Sequence, residues 1–443
     1  MTDKPMADTH DHDSHYHPPD PDALSVEEAL RLILSFFSVL PAESIPLLDA
    51  IDRVIAEDLR SEIDVPPFAN SAMDGYAVRL ADVKTATPET PVELDVSGVV
   101  AAGQLPDHQL IEGAAIRIMT GAPIPEGTDA VVPFEDTDET DRRREGTTQE
   151  TIGVRVNPKP GANLRMPGED VKRDEIVIPA RSVLGFADIG VIASLGISSV
   201  SVIRKPVVAI ISTGDELIEP GEQPEAGKIY NSNAYTIAAA IQRYGAIPRL
   251  IGVALDTSES LNQMLDASMD ADMILTSAGV SRGDYDVVKE VLVSRGQIAI
   301  HSVRMKPARP LAFGAFPTSD GHAVPHLGLP GNPVAVAVVL ELFARPAVDL
   351  MSGRGESKRR TVQAKLDGPI TNRDRRRVYA RVVVYRSEDG SGYRARPSGG
   401  QGSGLLTTMA RANGLAICPE DSPGLKADDQ ATVMLLDWST PII

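Results

Sequence analysis

Apolar positions change their spacing along the chain, and each change predicts a different class of element. Leu30, Ile33, Leu34, Phe37 and Leu40 recur at helical intervals. Ser25-Val26-Glu27-Glu28 opens this run with a serine followed three residues later by a glutamate, an arrangement that satisfies the first free N–H groups of a helix. Pro41 stops the run, and a second short helix is expected to end near Ala56. From about Asp74 to Glu150 the pattern becomes alternating. Val92, Leu94 and Val96, then Ile116 and Ile118, interleave with polar residues between Gly and Pro breaks, which predicts a small β domain. Residues 136–150 are charged and read as an exposed hairpin tip. Residues 176–178 read as a strand and residues 188–195 as a helix. This stretch is expected to return to residues 23–66, which makes the β domain an insertion.

From Pro206 onward, strands and helices alternate. Strands are expected at 207–211, 250–255, 273–275, 298–303, 311–313 and 324–327, with helices at 233–244, 258–269, 285–294 and from Pro333 to about Met351. This order predicts βαβ units and a mainly parallel sheet. Residues 361–443 turn β-rich again, with good strands at 378–385 and 431–436, and read as a C-terminal β-barrel or sandwich. The expected class is multidomain α/β plus β. Its parts are a His-rich tail at 1–22, an elongated linker or dimerisation domain at 23–66 plus 157–203, the inserted β domain at 67–156, an α/β domain at 204–354 and the β-barrel domain at 355–443.

Composition narrows the chemistry. A chain of 443 residues is too long for one core. With 62 acidic and 43 basic residues its net charge is −19, so it is a poor general binder of nucleic acid or anionic membrane. An anionic substrate needs a local basic patch or metal ions. One cysteine, Cys418, rules out an intramolecular disulfide and a Cys-based zinc cluster, and it reads as a small core residue. No basic start followed by an apolar run marks a secretory signal, and the longest apolar run, residues 334–340, is far too short to span a bilayer. The cytoplasm is the expected compartment. His10, His12, His15 and His17 lie in a polar tail that reads as disordered; metal capture by the tract is the other reading.

Several polar clusters follow predicted strands directly: Thr213-Gly214-Asp215-Glu216, then Asp256, then residues 277–284, then Lys306-Pro307-Ala308-Arg309-Pro310, then residues 328–333. In a parallel sheet such loops open at one edge, the carboxyl ends of the strands, where ligands of open α/β folds bind. The sheet is therefore expected to gather Glu216, Asp256, Asp284 and Lys306. Gly279 and Gly283 allow backbone N–H groups close to an oxyanion. Carboxylates beside a phosphate site imply a hard cation between them, which points to Mg²⁺ and a phosphorylated ligand. Any single acid here also serves as a turn or N-cap residue elsewhere in proteins, and Lys306 as a solvated lysine; the signal is their convergence. No Walker A loop occurs, because the stretch Gly221 to Gly227-Lys228 has one residue too many and continues into Ile229. No GxGxxG lies in a strand–turn–helix setting, which argues against nicotinamide.

With these residues assembled, the chain resembles the MoeA/gephyrin-E family of molybdopterin molybdenumtransferases from residue 23 to about 440. The matching stretches are PPFANSAMDGYAVR (66–79), RIMTGAPIPEGTDAVV (117–132), GED (168–170), STGDEL (212–217), KIYNSN (228–233), AGVSRGDYD (278–286), MKPARP (305–310), GLPGNPVA (328–335) and SGGQGSGLLTTMARANGLA (398–416). The resemblance implies an elongated four-domain protomer with a MogA-like three-layer α/β domain, forming a head-to-tail style homodimer. It implies insertion of molybdenum from molybdate into adenylated molybdopterin with Mg²⁺-dependent release of AMP, and transient contact with other cofactor-biosynthesis proteins. Carried over by position, it marks Asp74, Thr120, Asp170, Glu216, Asp256, Asp284 and Lys306 as catalytic. Gly279, Ser281, Gly283, Arg309, Pro330 and Pro333 are marked as substrate-binding, and Glu216, Asp256 and Asp284 as metal ligands. Asp74-Gly75, otherwise a plain turn with φ > 0, becomes part of the site and is expected to complete the crevice from another domain or from the partner subunit. Two departures stand out. The family's Lys-Pro-Gly-Lys-Pro reads Lys306-Pro307-Ala308-Arg309-Pro310, which puts an alanine where glycine tolerates φ > 0 and changes the geometry of one charge. A Gly-Gly-Val-Ser becomes Ala278-Gly279-Val280-Ser281. Other readings are an ATP-dependent molybdopterin adenylyltransferase on the same scaffold, or a non-catalytic scaffold for molybdoenzyme maturation.

Overall fold

A computed structural model describes residues 23–146, 150–277, 287–318, 321–355, 359–390 and 392–436. The His-rich tract lies outside them. The chain divides into two compact units: Ser44–Ile51 with Ile55–Ser201, and the remainder up to Glu43, Asp52–Val54 and from Val202 onward.

Helix α1 (Val26–Leu34) starts at the expected capping box, with Ser25 and Glu28 exchanging hydrogen bonds. It ends at Ser35 rather than near Leu40, because Ser35 and Phe36 turn back onto the carbonyls of Arg31 and Ile33. The second short helix is only a 3-10 turn, Leu47–Ala50.

In the first unit the outgoing strand Leu59–Arg60 pairs antiparallel with the returning Ile176–Ile178, and Asn70–Ser71 pairs with Leu164–Arg165. Between these paired arms stands a five-stranded sheet: β1 (Gly75–Val78), β2 (Val92–Val100), β3 (Ala114–Ile118), β4 (Ala130–Pro133) and β5 (Thr151–Val154), in the order β4-β1-β3-β2-β5. Alternate residues feed two cores, Tyr76 and Val78 on one face, Ala77 and Ile116 on the other. Residues 136–150 are not a hairpin tip. β4 and β5 lie at opposite edges of the sheet, so the chain must cross it, and it does so through helix α2 (Glu139–Glu145). Asp138 holds the helix start by accepting from Gly153 N and Arg142 Nε. Glu139 is buried beneath the sheet against Arg117 at 3.0 Å, a pairing that a local charge count conceals.

Helix α3 (Phe186–Ser194) closes this unit. The second unit continues with β6 (Val207–Thr213), helix α4 (Ser232–Arg243), β7 (Ile247–Ala254), helix α5 (Ser258–Asp266), β8 (Met273–Ser277), helix α6 (Val287–Arg295), β9 (Gln297–Ser302), β10 (Pro310–Pro317) and β11 (Ala323–Leu329). The sheet order is β7-β6-β8-β11-β10-β9. All neighbours are parallel except β10, which is antiparallel to both β11 and β9. β9 therefore points the same way as the parallel strands. Val208 and Ile210 face one core, and Ala209 and Ile211 the other, the signature of a sheet buried on both sides. His326 lies at the centre of the sheet, bonded to Thr276 Oγ1 at 3.0 Å, and burial pushes its imidazole down to about 3, so it stays neutral.

Pro333 sits in the first turn of a continuous helical rod, α7 (Pro333–Val339), a π-turn (Leu340–Ala344) and α8 (Arg345–Met351). The C-terminal strands β12 (Thr361–Leu366), β13 (Arg377–Arg386), β14 (Tyr393–Pro397), β15 (Gly414–Cys418) and β16 (Gln430–Leu435) form a closed barrel, β13-β14-β12-β16-β15 and back to β13. Cys418 is buried in it. The barrel shares a core with the α/β layer through Tyr379, Met409, Leu415 and Met434.

The glycine after Asp74 is explained by close packing rather than by a turn. Neither Asp74 nor Gly75 adopts a positive φ. A Cβ at Gly75 would lie 2.0 Å from the carbonyl oxygen of Val132 in the neighbouring strand. Gly75→Ala should destabilise the five-stranded unit by about 2–3 kcal/mol, as overpacking against backbone does; denaturant unfolding of the variant, with an unchanged midpoint as the contrary result, checks this.

Candidate functional site

The carboxyl ends of β6, β7, β8, β9 and β11 lie on one edge of the second unit's sheet, as their shared direction requires. Two exposed acids leave this edge. After β6 the chain bends at Gly214, whose φ is 142°. The Glu216 carboxylate folds over it, with Oε2 2.5 Å from where a Cβ at Gly214 would stand. The φ of 142° is one that glycine adopts without strain, and its missing Cβ leaves room for this carboxylate. Asp215 clamps the neighbouring loop: its Oδ1 accepts from Asp256 N at 3.1 Å, and its carbonyl accepts from Lys228 Nζ at 2.6 Å. Asp215 thus serves architecture, while Glu216 and Asp256 present carboxylates to solvent next to each other's loops. Asp284, Gly279, Ser281 and Gly283 belong to the loop after β8 and lie outside the described residues.

On the other side of the edge, Lys306 follows β9. Its backbone pairs with Val378 at the start of β13, and its Nζ lies 4.0 Å from Asp374 Oδ2. Ala308 takes φ 72° and is buried, so the loop keeps the left-handed residue that a glycine accommodates more easily. Arg309 follows it and accepts from Val303 N through its carbonyl. Pro330 is buried and Pro333 begins α7. The loop between them is tied down from two directions: Asn233 Nδ2 donates to Gly331 O at 2.7 Å, and Val334 N donates to Ser403 O at 3.1 Å.

The second of these ties reveals a feature that sequence reasoning missed. Arg381, 1% exposed, sends Nε to Thr408 Oγ1 and Nη2 to the carbonyls of Gly400 and Gly402, so it shapes the glycine-rich barrel loop that reaches the start of α7. Burial pushes its guanidinium down to about 10. The stretch 398–416 was itself a family motif, but its partner Arg381 lies inside the predicted strand 378–385, where no local spacing marks it. Asp374, buried in an otherwise basic loop, gave no signal either.

Asp74 and Thr120 meet in the first unit. Asp74 Oδ1 accepts from Thr120 N at 2.7 Å and from Thr120 Oγ1 at 2.8 Å. The turn is locked by Gly121 N donating to Ser71 O at 2.8 Å and by Ser71 Oγ donating to Met73 O. Asp170 stands on a separate turn of the same unit, pinned by its N–H to Val65 O at 2.9 Å.

Among the described residues, no group of three His, Cys, Asp or Glu side chains is placed to hold a metal ion by itself. Glu216 and Asp256 supply hard oxygen donors, and Mg²⁺ is commonly held by one or two carboxylates plus substrate phosphate and water. That donor set fits the ion.

Against known proteins, residues 24–196 match the model described as MoeA N-terminal region (domain I and II), residues 209–349 a probable molybdopterin binding domain, and residues 363–436 the MoeA C-terminal region (domain IV). A molybdopterin molybdenumtransferase from Nostoc sp. is 35% identical over 89% of this chain and 90% of its own length. This chain belongs to the MoeA family of molybdopterin molybdenumtransferases. The homologue from Haemophilus influenzae that carries the same name is 33% identical over 88% of this chain and 93% of its own length. A solved MoeA protein from Pyrococcus horikoshii OT3 superposes with a TM-score of 0.74 at 30% identity, covering 94% of this chain and all of that one. No helix of the described residues is long and apolar enough to cross a membrane.

The two Thr120 donors hold the Asp74 carboxyl below the usual carboxylate range, the backbone N–H first and the hydroxyl second. A depressed folded value means that Asp74 favours the fold at neutral pH, and that this contribution is lost as pH falls through the folded value. Thr120→Val removes the hydroxyl and keeps the backbone donor. The Asp74 carboxyl of that variant, followed by NMR, should titrate at higher pH than in the parent; an unmoved titration contradicts the assignment.

Proposed function

We propose that this enzyme inserts molybdenum from molybdate into adenylated molybdopterin, with Mg²⁺-dependent release of AMP. The observation that carries the reading is that two solvent-facing carboxylates, Glu216 and Asp256, and a lysine, Lys306, leave the carboxyl-end side of one sheet, the acids from adjacent strands and the lysine after the far edge strand, in a chain of net charge −19. Such an edge suits an anionic, phosphate-bearing guest only if cations accompany it.

In this reading Glu216 and Asp256 would hold Mg²⁺, with Asp284, in the chain after β8, as a third acid. When bound, the ion supplies Lewis-acid polarisation of the phosphoanhydride. The chain's own groups do the rest. Lys306 and Arg309 meet phosphate or molybdate oxygens as charged donors. Gly279, Ser281 and Gly283 bring backbone close to the nucleotide phosphate, while Pro330 and Pro333 fix the loop at the start of α7 against the substrate. Water attacks the anhydride phosphorus, a P–O bond of the P–O–P bridge breaks to give AMP and the pterin phosphate, and the two dithiolene sulfurs displace molybdate oxygen, which leaves as water with the thiol protons while molybdenum keeps its oxidation state. Asp74, its carboxylate oriented by the two Thr120 donors, and Asp170 act in the same reaction, and the working form is a homodimer. Preorganised charge of this kind accelerates by being in place before the reaction begins.

Incubation with adenylated molybdopterin, Mg²⁺ and molybdate, scoring AMP and finished cofactor, tests the reading. The parent should release AMP in a molybdate-dependent way, and Glu216→Ala should lose about 100-fold or more in rate. Full molybdate-dependent AMP release by Glu216→Ala removes that residue from the chemistry, and no release by the parent removes the function.

A further inference from the structure

Lys306 carries a long flexible stem, and a lysine that must meet an anion at a fixed place needs something to aim it. The barrel supplies a buried carboxylate for this. Asp374 is 9% exposed, and its Oδ2 faces both Lys306 Nζ, at 4.0 Å, and the guanidinium of Arg376, to which it is bonded. The loop that carries it is held on both sides. Asn372 Nδ2 donates to the carbonyls of Pro419 and Ser422 at 3.0 Å each, and Asn372 Oδ1 accepts from Arg376 N at 3.4 Å. Arg377 N donates to Arg304 O at 3.0 Å, and Met305 and Lys306 pair with Arg377 and Val378. Within the loop Arg375 is held at φ 50°, an unfavourable conformation for a residue with a side chain, which these surrounding bonds enforce.

We propose that Asp374 is a positioning residue for the reaction: it fixes the ammonium of Lys306, together with Arg376, where they face the anionic substrate. Two cations share one carboxylate, so the cluster keeps a net positive charge at the sheet edge. Asp374 is itself too buried to reach a ligand and acts through its partners. The inference rests on the reading of Lys306 as a site residue.

The test uses the full chain with Asp374→Asn, Asp374→Glu, Lys306→Ala and the double variant Lys306→Ala with Asp374→Asn. Asp374→Asn should lower kcat/KM for molybdate-dependent AMP release by about 10-fold, and Asp374→Glu should recover most of the loss. In the Lys306→Ala background, Asp374→Asn should cost no more than about 2-fold, since coupled residues are not additive. An equal cost in both backgrounds overturns the proposal. A second readout is independent of catalysis: competitive acylation of Lys306, read by peptide mass spectrometry, should be several-fold faster in Asp374→Asn, whose lysine has lost its carboxylate. Unchanged labelling overturns the proposal, whereas altered labelling in a parent that releases no AMP leaves it standing and places the failure in the functional reading. If Asn at 374 prevents folding, the labelling of Asp374→Ser, which removes the carboxylate with a smaller side chain, decides: a rate equal to the parent's counts against the proposal.

Discussion

Strand direction is the constraint on which the proposed chemistry depends. β6, β7, β8 and β11 run parallel, and β9 runs with them because two antiparallel steps through β10 restore its sense. Loops that are far apart in the chain therefore leave the sheet on one side. No single loop holds a complete site. Glu216 stands over a glycine, Asp256 is reached through the Asp215 clamp, and Lys306 is met by a carboxylate from a different layer. Reversing any one of these strands would send its polar residue to the opposite edge.

The barrel has a direct part in this arrangement. It closes on itself without free edges, yet gives the α/β layer a short parallel pairing at Met305–Lys306 and a loop that contacts the start of α7. Two buried charges do the local work, Arg381 under the glycine-rich loop and Asp374 beside Lys306. Each is costly to bury and each is compensated by several partners, which ties the geometry of the loops to the integrity of the barrel.

Much of this was legible in the sequence because periodicity reports burial. The unbroken apolar run at 207–211 read as a strand, which is buried on both faces, and the serine–glutamate pair at 25–28 marked a helix start. What escaped was set by contacts between distant residues. Residues 136–150 read as a solvated tip because six acids and three arginines lie there, but Glu139 pairs with Arg117 from another strand, and the separation of β4 from β5 demands a crossing. Asp74-Gly75 read as a turn, although Gly75 is needed for the approach of the Val132 carbonyl. Ala308 was expected to resist φ > 0, yet the loop holds it there, so the departure from glycine leaves the bend in place. Asp374 and Arg381 carried no local pattern that separates them from ordinary surface and strand residues.

Crystallography of the protein soaked with Mn²⁺ and AMP tests the central claim most directly, because Mn²⁺ replaces Mg²⁺ on oxygen ligands and is seen by anomalous scattering. The account predicts one anomalous peak within bonding distance of Glu216 or Asp256, with the AMP phosphate at the same sheet edge beside Lys306. A nucleotide bound elsewhere, with both carboxylates free of metal, would contradict it.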